Sequence, residues 1–355
     1  MSFTFGEKFR VTIFGESHAP CIGAIVEGVP AGTKLDLAAI QTEMDKRRGG
    51  QSALTTSRKE PDLVCVKSGV EDGKATGGPV RIEIGNTDAK PSSYGPLRDT
   101  PRPGHADFTA RMKYGESYCA TGGGFFSGRM TAAMVAAGAI ARQVLAGKGV
   151  TIHAHVVQIG SVSIGAPLSD KDIEKNVFLN DARCADVETG KNMAREVLAA
   201  KEAGDSVGAV VECRIRGVPA GAGEPMFGSL ESVLAHALFA IPGVKGVEFG
   251  SGFAGSRLLG SQNNDPFILR NGKVVTATNN AGGILGGIAT GMPVVFRVAF
   301  KPTPSIALPQ KTVNLKTMQE CEIRIEGRHD PCIAIRGVPV VEAVAAFALL
   351  DAMMR

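Results

Sequence analysis

SGRMTAAMVAAGAIARQVL, residues 127–145, decides the fold class. From Met130 to Ala141 every residue except Thr131 and Gly138 is Ala, Met, Val or Ile, so a helix wound from it has no polar face before Arg142. Its length and alanine content favour helix over strand, and a helix that is apolar all round must be covered on every side. The segment is therefore expected to be a central buried helix, with Ser127 as its N-cap candidate. Further helices are expected over 37–48, 192–203, 230–239 and 340–354. Strands are expected over 10–14, 22–26, 63–66, 80–84, 150–158, 207–215 and 294–300, each bounded by Gly or Pro. Parallel βαβ alternation is not evident. The expectation is an α+β layered fold, central buried helices sandwiched between antiparallel sheets, in a single domain over 1–355.

One phrase repeats. Residues 22–32 read IGAIVEGVPAG, residues 207–221 read VGAVVECRIRGVPAG and residues 333–340 read IAIRGVPV. They suggest a strand-then-turn unit used again, an internal pseudo-duplication.

The chain has 355 residues, 44% hydrophobic and 21% charged, and carries a net charge of +4. That charge, with three Tyr and no Trp, argues against nucleic acid as partner. The seven Cys have no C-x-x-C pair and no metal-ligand spacing with the six His, so they are expected to be reduced, buried thiols, with no metal. No leader pattern opens the chain and no apolar stretch reaches about 18 residues, so the expectation is a soluble cytoplasmic protein without a membrane partner. The 45 Gly and 19 Pro fall in short groups, as in an enzyme whose loops approach a ligand closely.

Six stretches could carry chemistry. Gly15–Glu16–Ser17–His18 follows a predicted strand and offers an imidazole able to exchange a proton near neutrality. If the stretch is extended, Ser17 and His18 point to opposite faces and cannot hydrogen-bond to each other. RPGHADFTARMKYG (102–115) frames Arg102 and His105 with proline and glycine, either as an anion site with a proton donor or as a solvated face. GGGFFSGRMT (122–131) places glycines, Ser127 and Arg129 at a helix start, a natural anion cradle, without the spacing of a nucleotide-binding loop. DKRRGGQSALTTSRKEPD (45–62) gathers Lys46, Arg47, Arg48, Arg58 and Lys59, either a flap closing over a polyanion or a charged helix end. KPTPS (301–305) is a proline-stiffened loop after a strand, and GRHDPC (327–332) sets Arg, His and Asp side by side. A flavin-free phosphate-ester hydrolase or transferase and a basic binding module remain alternatives.

Taken together the sequence resembles the chorismate synthase family. GESH (15–18), RPGHAD (102–107), SGR (127–129), GDS (204–206), GVPAGAGEP (217–225), AGGILGG (281–287), KPT (301–303) and GRHDPC (327–332) match its motifs in its order, from about Phe5 to Met354. The resemblance implies conversion of 5-enolpyruvylshikimate 3-phosphate to chorismate and phosphate by 1,4-elimination, with reduced FMN as cofactor. It also implies a homo-oligomer, a tetramer, supplied with reduced flavin from outside. By position, His18 would protonate the leaving phosphate and His105 would manage the flavin's protonation, while Ser17, Ser127 and Asp330 would form a proton relay. Arg47 with its neighbour Arg48, Arg102 and Arg129 would clamp substrate anions. Gly286, Lys301, Pro302, Thr303, Pro304, Ser305 and Arg328 would hold the flavin. The chain departs from the commoner pattern at Ala19, at Ala53 where many members carry arginine, at Phe125 and Phe126 in place of an Arg-Ser pair, and at Pro304 in place of serine.

Overall fold

The computed structural model describes residues 3–58, 60–87, 99–115, 123–325 and 327–355; Lys59, Cys119 and Gly122 lie outside the described residues. Twelve elements build the frame in two sets of six. The first set is β1 (Arg10–Gly15), β2 (Cys21–Glu27), α1 (Leu37–Arg47), β3 (Val64–Ser68), β4 (Val80–Gly85) and α2 (Thr131–Ala146). The second is β5 (Thr151–Ile159), β6 (Ala209–Arg216), α3 (Leu230–Leu238), β7 (Val244–Phe249), β8 (Val294–Phe300) and α4 (Ala334–Met354). Each set forms an antiparallel sheet of one order, β1-β2-β4-β3 and β5-β6-β8-β7, widened by a two-residue edge strand, Thr4–Phe5 on β1 and Val162–Ser163 on β5. The pseudo-duplication is thus real in the topology: antiparallel strand pair, helix, edge strand, inner strand, helix, twice, although β1 and β2 are joined by five residues and β5 and β6 by 49 that include two helices.

The repeated phrase makes the same turn in both halves. Gly28 after β2 and Gly217 after β6 have φ of +83° and +80°, and the valines that follow, Val29 and Val218, are buried. A Cβ at Gly28 would lie 1.8 Å from the Lys8 carbonyl oxygen, and one at Gly217 would lie 2.1 Å from that of Gly149. Glycine is required at both for conformation and for space.

The third occurrence is different. Residues 334–340 are helical, so α4 begins six residues before the expected 340, with Pro339 inside it. Eighteen of its 21 residues are buried, and the Phe300 ring lies where a Cβ on Gly337 would go, 2.8 Å away. Burial on every side outweighs the local cost of proline, which a turn-based reading of Gly-Val-Pro could not foresee. Likewise a helix runs Val187–Glu202, five residues ahead of the expected 192, because the Asp186 side chain caps it by accepting from Thr189 N–H. At α2 the boundary moves the other way: Ser127 caps a 3₁₀ turn over Gly128–Met130, its Oγ accepting from Arg129 N–H, and α2 follows.

α2 and α4 lie back to back between the sheets, α2 against β2 and β4, α4 against β5 and β6, with α1 and α3 beside them. Their closest approach is Gly138, where a Cβ would stand 2.4 Å from Ala343 Cα. α4 is long and apolar enough to cross a membrane by length and composition, contrary to the expectation that no such stretch exists, but 89% of that window is buried inside the protein. It is a core helix. Of the described cysteines Cys184, Cys213 and Cys332 are buried, whereas Cys65 is exposed on β3, so burial is not common to all the thiols.

Candidate active site

Loops from both halves converge at one end of the two central helices and enclose a cavity of about 950 Å³. Of the residues singled out above, His18, Arg47, Arg102, His105, Ser127, Arg129, Lys301, Thr303, Pro304, Ser305, Arg328 and Asp330 line it, although they span more than 300 positions of sequence. Ser17 lies buried behind His18. Pro302 and Arg48 are not part of the lining, and Arg48 instead faces Asp45 at 3.7 Å on the end of α1. Gly286 sits in the turn of a small hairpin, Ile284–Leu285 with Ile288–Ala289, also outside the cavity of this chain.

The Ser17–His18 geometry corrects the sequence reading. β1 ends at Gly15, and the chain turns at once, with Ala19 N–H donating to the Glu16 carbonyl. In that turn the two side chains come together, and Ser17 Oγ is 2.9 Å from His18 Nδ1. Opposite faces belong to extended chain, and these residues are not extended. The contact fixes the imidazole through Nδ1 and leaves Nε2 as its other proton-exchanging atom. Ser17 N–H is held in turn by the Gly124 carbonyl, which ties this loop to the glycine-rich stretch before α2.

His105 is oriented by a second network. Its Nδ1 is 2.6 Å from Asp107 Oδ1. Arg102 forks onto the same carboxylate, Nε to Oδ2 at 2.7 Å and Nη2 to Oδ1 at 2.8 Å, and its Nη2 also approaches the imidazole. Burial alone would raise the Asp107 carboxyl, but hydrogen bonds from Arg102 and His105 outweigh it and hold it well below the usual range. Arg102 therefore spends its fork on Asp107 and reaches Ser305 Oγ with Nη1 at 3.3 Å.

Arg47 and Arg129 are also engaged. Arg47 donates to Asp62, to Thr131 Oγ1 and to the Gly128 carbonyl. Burial, and Arg336 nearby, lower its guanidinium to about 9 against the pull of Asp62, which leaves it charged at neutral pH. Arg129 donates to Asn86, the Gly85 carbonyl and Asp62, and pairs with Glu60 at 2.6 Å. Burial pushes the Asp62 carboxyl upward, but Arg47 and Arg129 together bring it below its ordinary value.

Asp330 holds the 45–62 stretch in place. Its Oδ1 accepts from Thr56 N–H at 2.8 Å and its Oδ2 from Arg336 at 2.7 Å, while Thr56 Oγ1 donates to the Arg328 carbonyl. That stretch is pinned over the cavity by named bonds. Ser17, Ser127 and Asp330 make no hydrogen bonds to one another: Ser127 caps its turn and Asp330 binds Thr56 and Arg336.

Arg58, one of the cations of the expected flap, and His329, within GRHDPC, also line the cavity, as do Glu60, Asp62, Lys245 and Arg336, which had no role assigned from sequence. Glu60 and Asp62 were visible as acids at alternate positions in a basic stretch, and Arg336 was hidden in the misread third repeat. Burial, with Arg102 adding repulsion, pushes the His329 imidazole down to about 4, so it is neutral at pH 7. Among the described residues eight Lys and Arg line the cavity against three lining carboxylates, Glu60, Asp62 and Asp330, with Asp107 behind Arg102 as a fourth, so the cavity carries a surplus of positive charge suited to anionic ligands. The rest of the wall is apolar, including Phe126, Ile241, Phe300, Ile333 and Val340. Phe125 packs against Phe3, Tyr114 and Phe126 with centroids 5.3, 5.6 and 4.6 Å away, so the two departures at 125–126 form an aromatic cluster at the cavity edge.

Comparison with known proteins gives the family. A family model described as chorismate synthase covers residues 9–354. The chain belongs to the chorismate synthase family. It is 51% identical to the chorismate synthase of Methanocella arvoryzae over 352 residues, covering 99% of this chain and 94% of that protein. It is 50% identical to that of Methanosarcina barkeri over 351 residues, 99% and 96% of the two. A solved structure titled "Crystal Structure of Chorismate Synthase" superposes with a TM-score of 0.78 at 28% identity, covering 98% of this chain and 92% of that one.

Membership of the chorismate synthase family brings with it a flavin. The cavity suits one: it lies at the upper end of the roughly 300–1,000 Å³ usual for ligand sites, enough for two small molecules side by side, and it sets an apolar wall against cations. Lys301 and Lys245 stand together there, and burial and then the Lys245 charge lower Lys301, an unfavourable pairing of cations that a bound anion would relieve.

Proposed function

We infer that this chain is a chorismate synthase that converts 5-enolpyruvylshikimate 3-phosphate to chorismate and phosphate with reduced FMN bound beside the substrate. The observation that carries the reading is the meeting of His18 and His105 with a surplus of guanidinium groups in a single cavity, in a member of this family. Reduced FMN, when bound, supplies an electron-rich, proton-accepting ring next to the substrate. Lys301, Thr303, Ser305 and Arg328 are the residues of this chain that would hold it. His18, steadied through Nδ1 by Ser17, delivers a proton from Nε2 to the departing phosphate. His105, set by Asp107, handles the proton on the flavin side. Arg47 and Arg129 keep the substrate end positive, which stabilises charge building on the leaving oxygen. We further propose that the protein works in the cytoplasm as a homotetramer and takes reduced FMN from an external source.

The test is anaerobic turnover with photoreduced FMN. Chorismate is expected only when the flavin is reduced, and His18→Ala and His105→Ala each lower kcat by about 10²–10⁴, the usual contribution of a general acid or base. Phosphate release without flavin would point to a hydrolase and overturn the reading.

A further inference from the structure

The two carboxylates on the basic wall are not equivalent. Asp62 is built in: its side chain is 1% exposed, its backbone is held at φ +50°, and its two oxygens go to Arg47 and Arg129. Glu60 hangs on a longer side chain and spans two guanidinium groups, with Oε1 2.7 Å from Arg58 Nη2 and Oε2 2.6 Å from Arg129 Nη1. Arg129 does not need Glu60 to keep its place, because Asn86, the Gly85 carbonyl and Asp62 fix it from other sides. Arg58 is less settled, since its Nε is buried and meets no acceptor. An orphaned buried donor is unfavourable, and an anion with more oxygens than a carboxylate would satisfy it.

We propose that Glu60 is a displaceable counter-ion: its carboxylate fills an anion subsite between Arg58 and Arg129, and an anionic group of the ligand replaces it there. The inference rests on the reaction assigned above for which ligand arrives, while the subsite itself is defined by Arg58, Arg129 and Glu60. Either a phosphoryl or a carboxylate group has the required chemistry. Arg58 then takes up, from a different position in the same stretch, an anion contact that Ala53 cannot make; the Ala53 carbonyl instead accepts from Lys201 Nζ at 2.8 Å.

Calorimetric titration of the flavin-free chain with inorganic phosphate and with acetate tests this, with melting temperature read alongside. In Glu60→Gln the competing charge is gone, and one of the two anions is expected to bind about tenfold tighter, as when a competent state populated one part in ten becomes the main one. Phosphate tightening assigns a phosphoryl subsite, and acetate tightening a carboxylate subsite. Glu60→Gln combined with Arg58→Gln should lose the gain. Asp62→Asn should lower the melting temperature without tightening either anion. Unchanged or weaker binding of both anions by Glu60→Gln, or a melting loss equal to that of Asp62→Asn, would overturn the proposal. Chorismate formation is assayed separately, so tighter anion binding in a chain that makes no chorismate would leave the subsite standing and remove the reaction instead.

Discussion

Ser17 is the residue where local geometry changes the chemical assignment. Its Oγ sits on His18 Nδ1, so it acts through the imidazole, and its loss removes one orienting hydrogen bond. Ser17→Ala should lower kcat roughly 5- to 10-fold, the equivalent of about 1 kcal/mol, with KM unchanged. A fall of a hundredfold or more would mean that Ser17 itself carries a proton, as the family resemblance suggested. The motif residues were legible because their types and order are specific, but the turn at 16–19 was not, since Gly-Glu-Ser-His carries no mark that distinguishes a strand end from a turn. His329 gives a second residue-scale outcome. Folding favours its neutral form, because burial, then the charge of Arg102, lowers it to about 4. Its contribution is therefore complete above its unfolded value near 6.5 and is lost as pH falls from there toward 4. Urea unfolding at pH 7.5 and 4.5 should show a stability loss that shrinks by roughly 2–3 kcal/mol in His329→Gln. Equal losses in the two proteins would mean that this imidazole titrates normally.

At the scale of the element, the contact between α2 and α4 makes a prediction whose sign opposes helix propensity. In an isolated helix Gly→Ala adds about 1 kcal/mol of stability. At Gly138 the new methyl would stand 2.4 Å from Ala343 Cα, Cβ and carbonyl oxygen, and backbone cannot step aside as a side-chain tip can. Gly138→Ala should destabilise by about 1–3 kcal/mol, read as a lower denaturation midpoint, because overpacking outweighs propensity. A raised midpoint would show that the two helices are free to separate. The same crowding explains which helix ends were legible and which were hidden. α2 was legible because an all-round apolar run has one resting place. The first turns of α4 were not, because Gly337 and Pro339 are local signs of a turn and only the surrounding core, Phe300 above all, makes helix the better answer. Seven of the eight frame strands were legible to within a residue or two since glycine or proline follows each, but β7 was not expected, and the shared order of the sheets came from pairing, which no single strand reveals.

At the scale of the whole molecule the two halves differ in how their edge and inner strands connect. Between β3 and β4 the chain needs 11 residues, whereas between β7 and β8 it takes 44. That longer connection and the loop before α3 carry exposed apolar side chains, among them Phe227 at 96%, Phe253 at 81% and Leu269 at 77% exposure. Eleven of the twenty large hydrophobics exposed among the described residues fall between Met226 and Leu285. Monomers rarely leave so much apolar surface in one part of the chain, and the described residues of the matching half show no counterpart, so we propose that this region serves association rather than folding. In the homo-oligomer proposed above, a second copy of the chain would be the fitting occupant, since such interfaces are more apolar than ordinary surface. Gly286 lies in the same region, on a hairpin that does not line the cavity of this chain. Light scattering on the purified protein should give a mass of four chains, and Phe227→Glu with Phe253→Glu should reduce it to that of smaller species, since an unpaired buried charge opposes docking. Flavin affinity measured on the same samples then separates two roles for the assembly: a parallel loss means that neighbouring chains complete the cavity, and an undiminished affinity means that each chain holds its ligand alone. A wild-type mass of one chain would remove the association altogether.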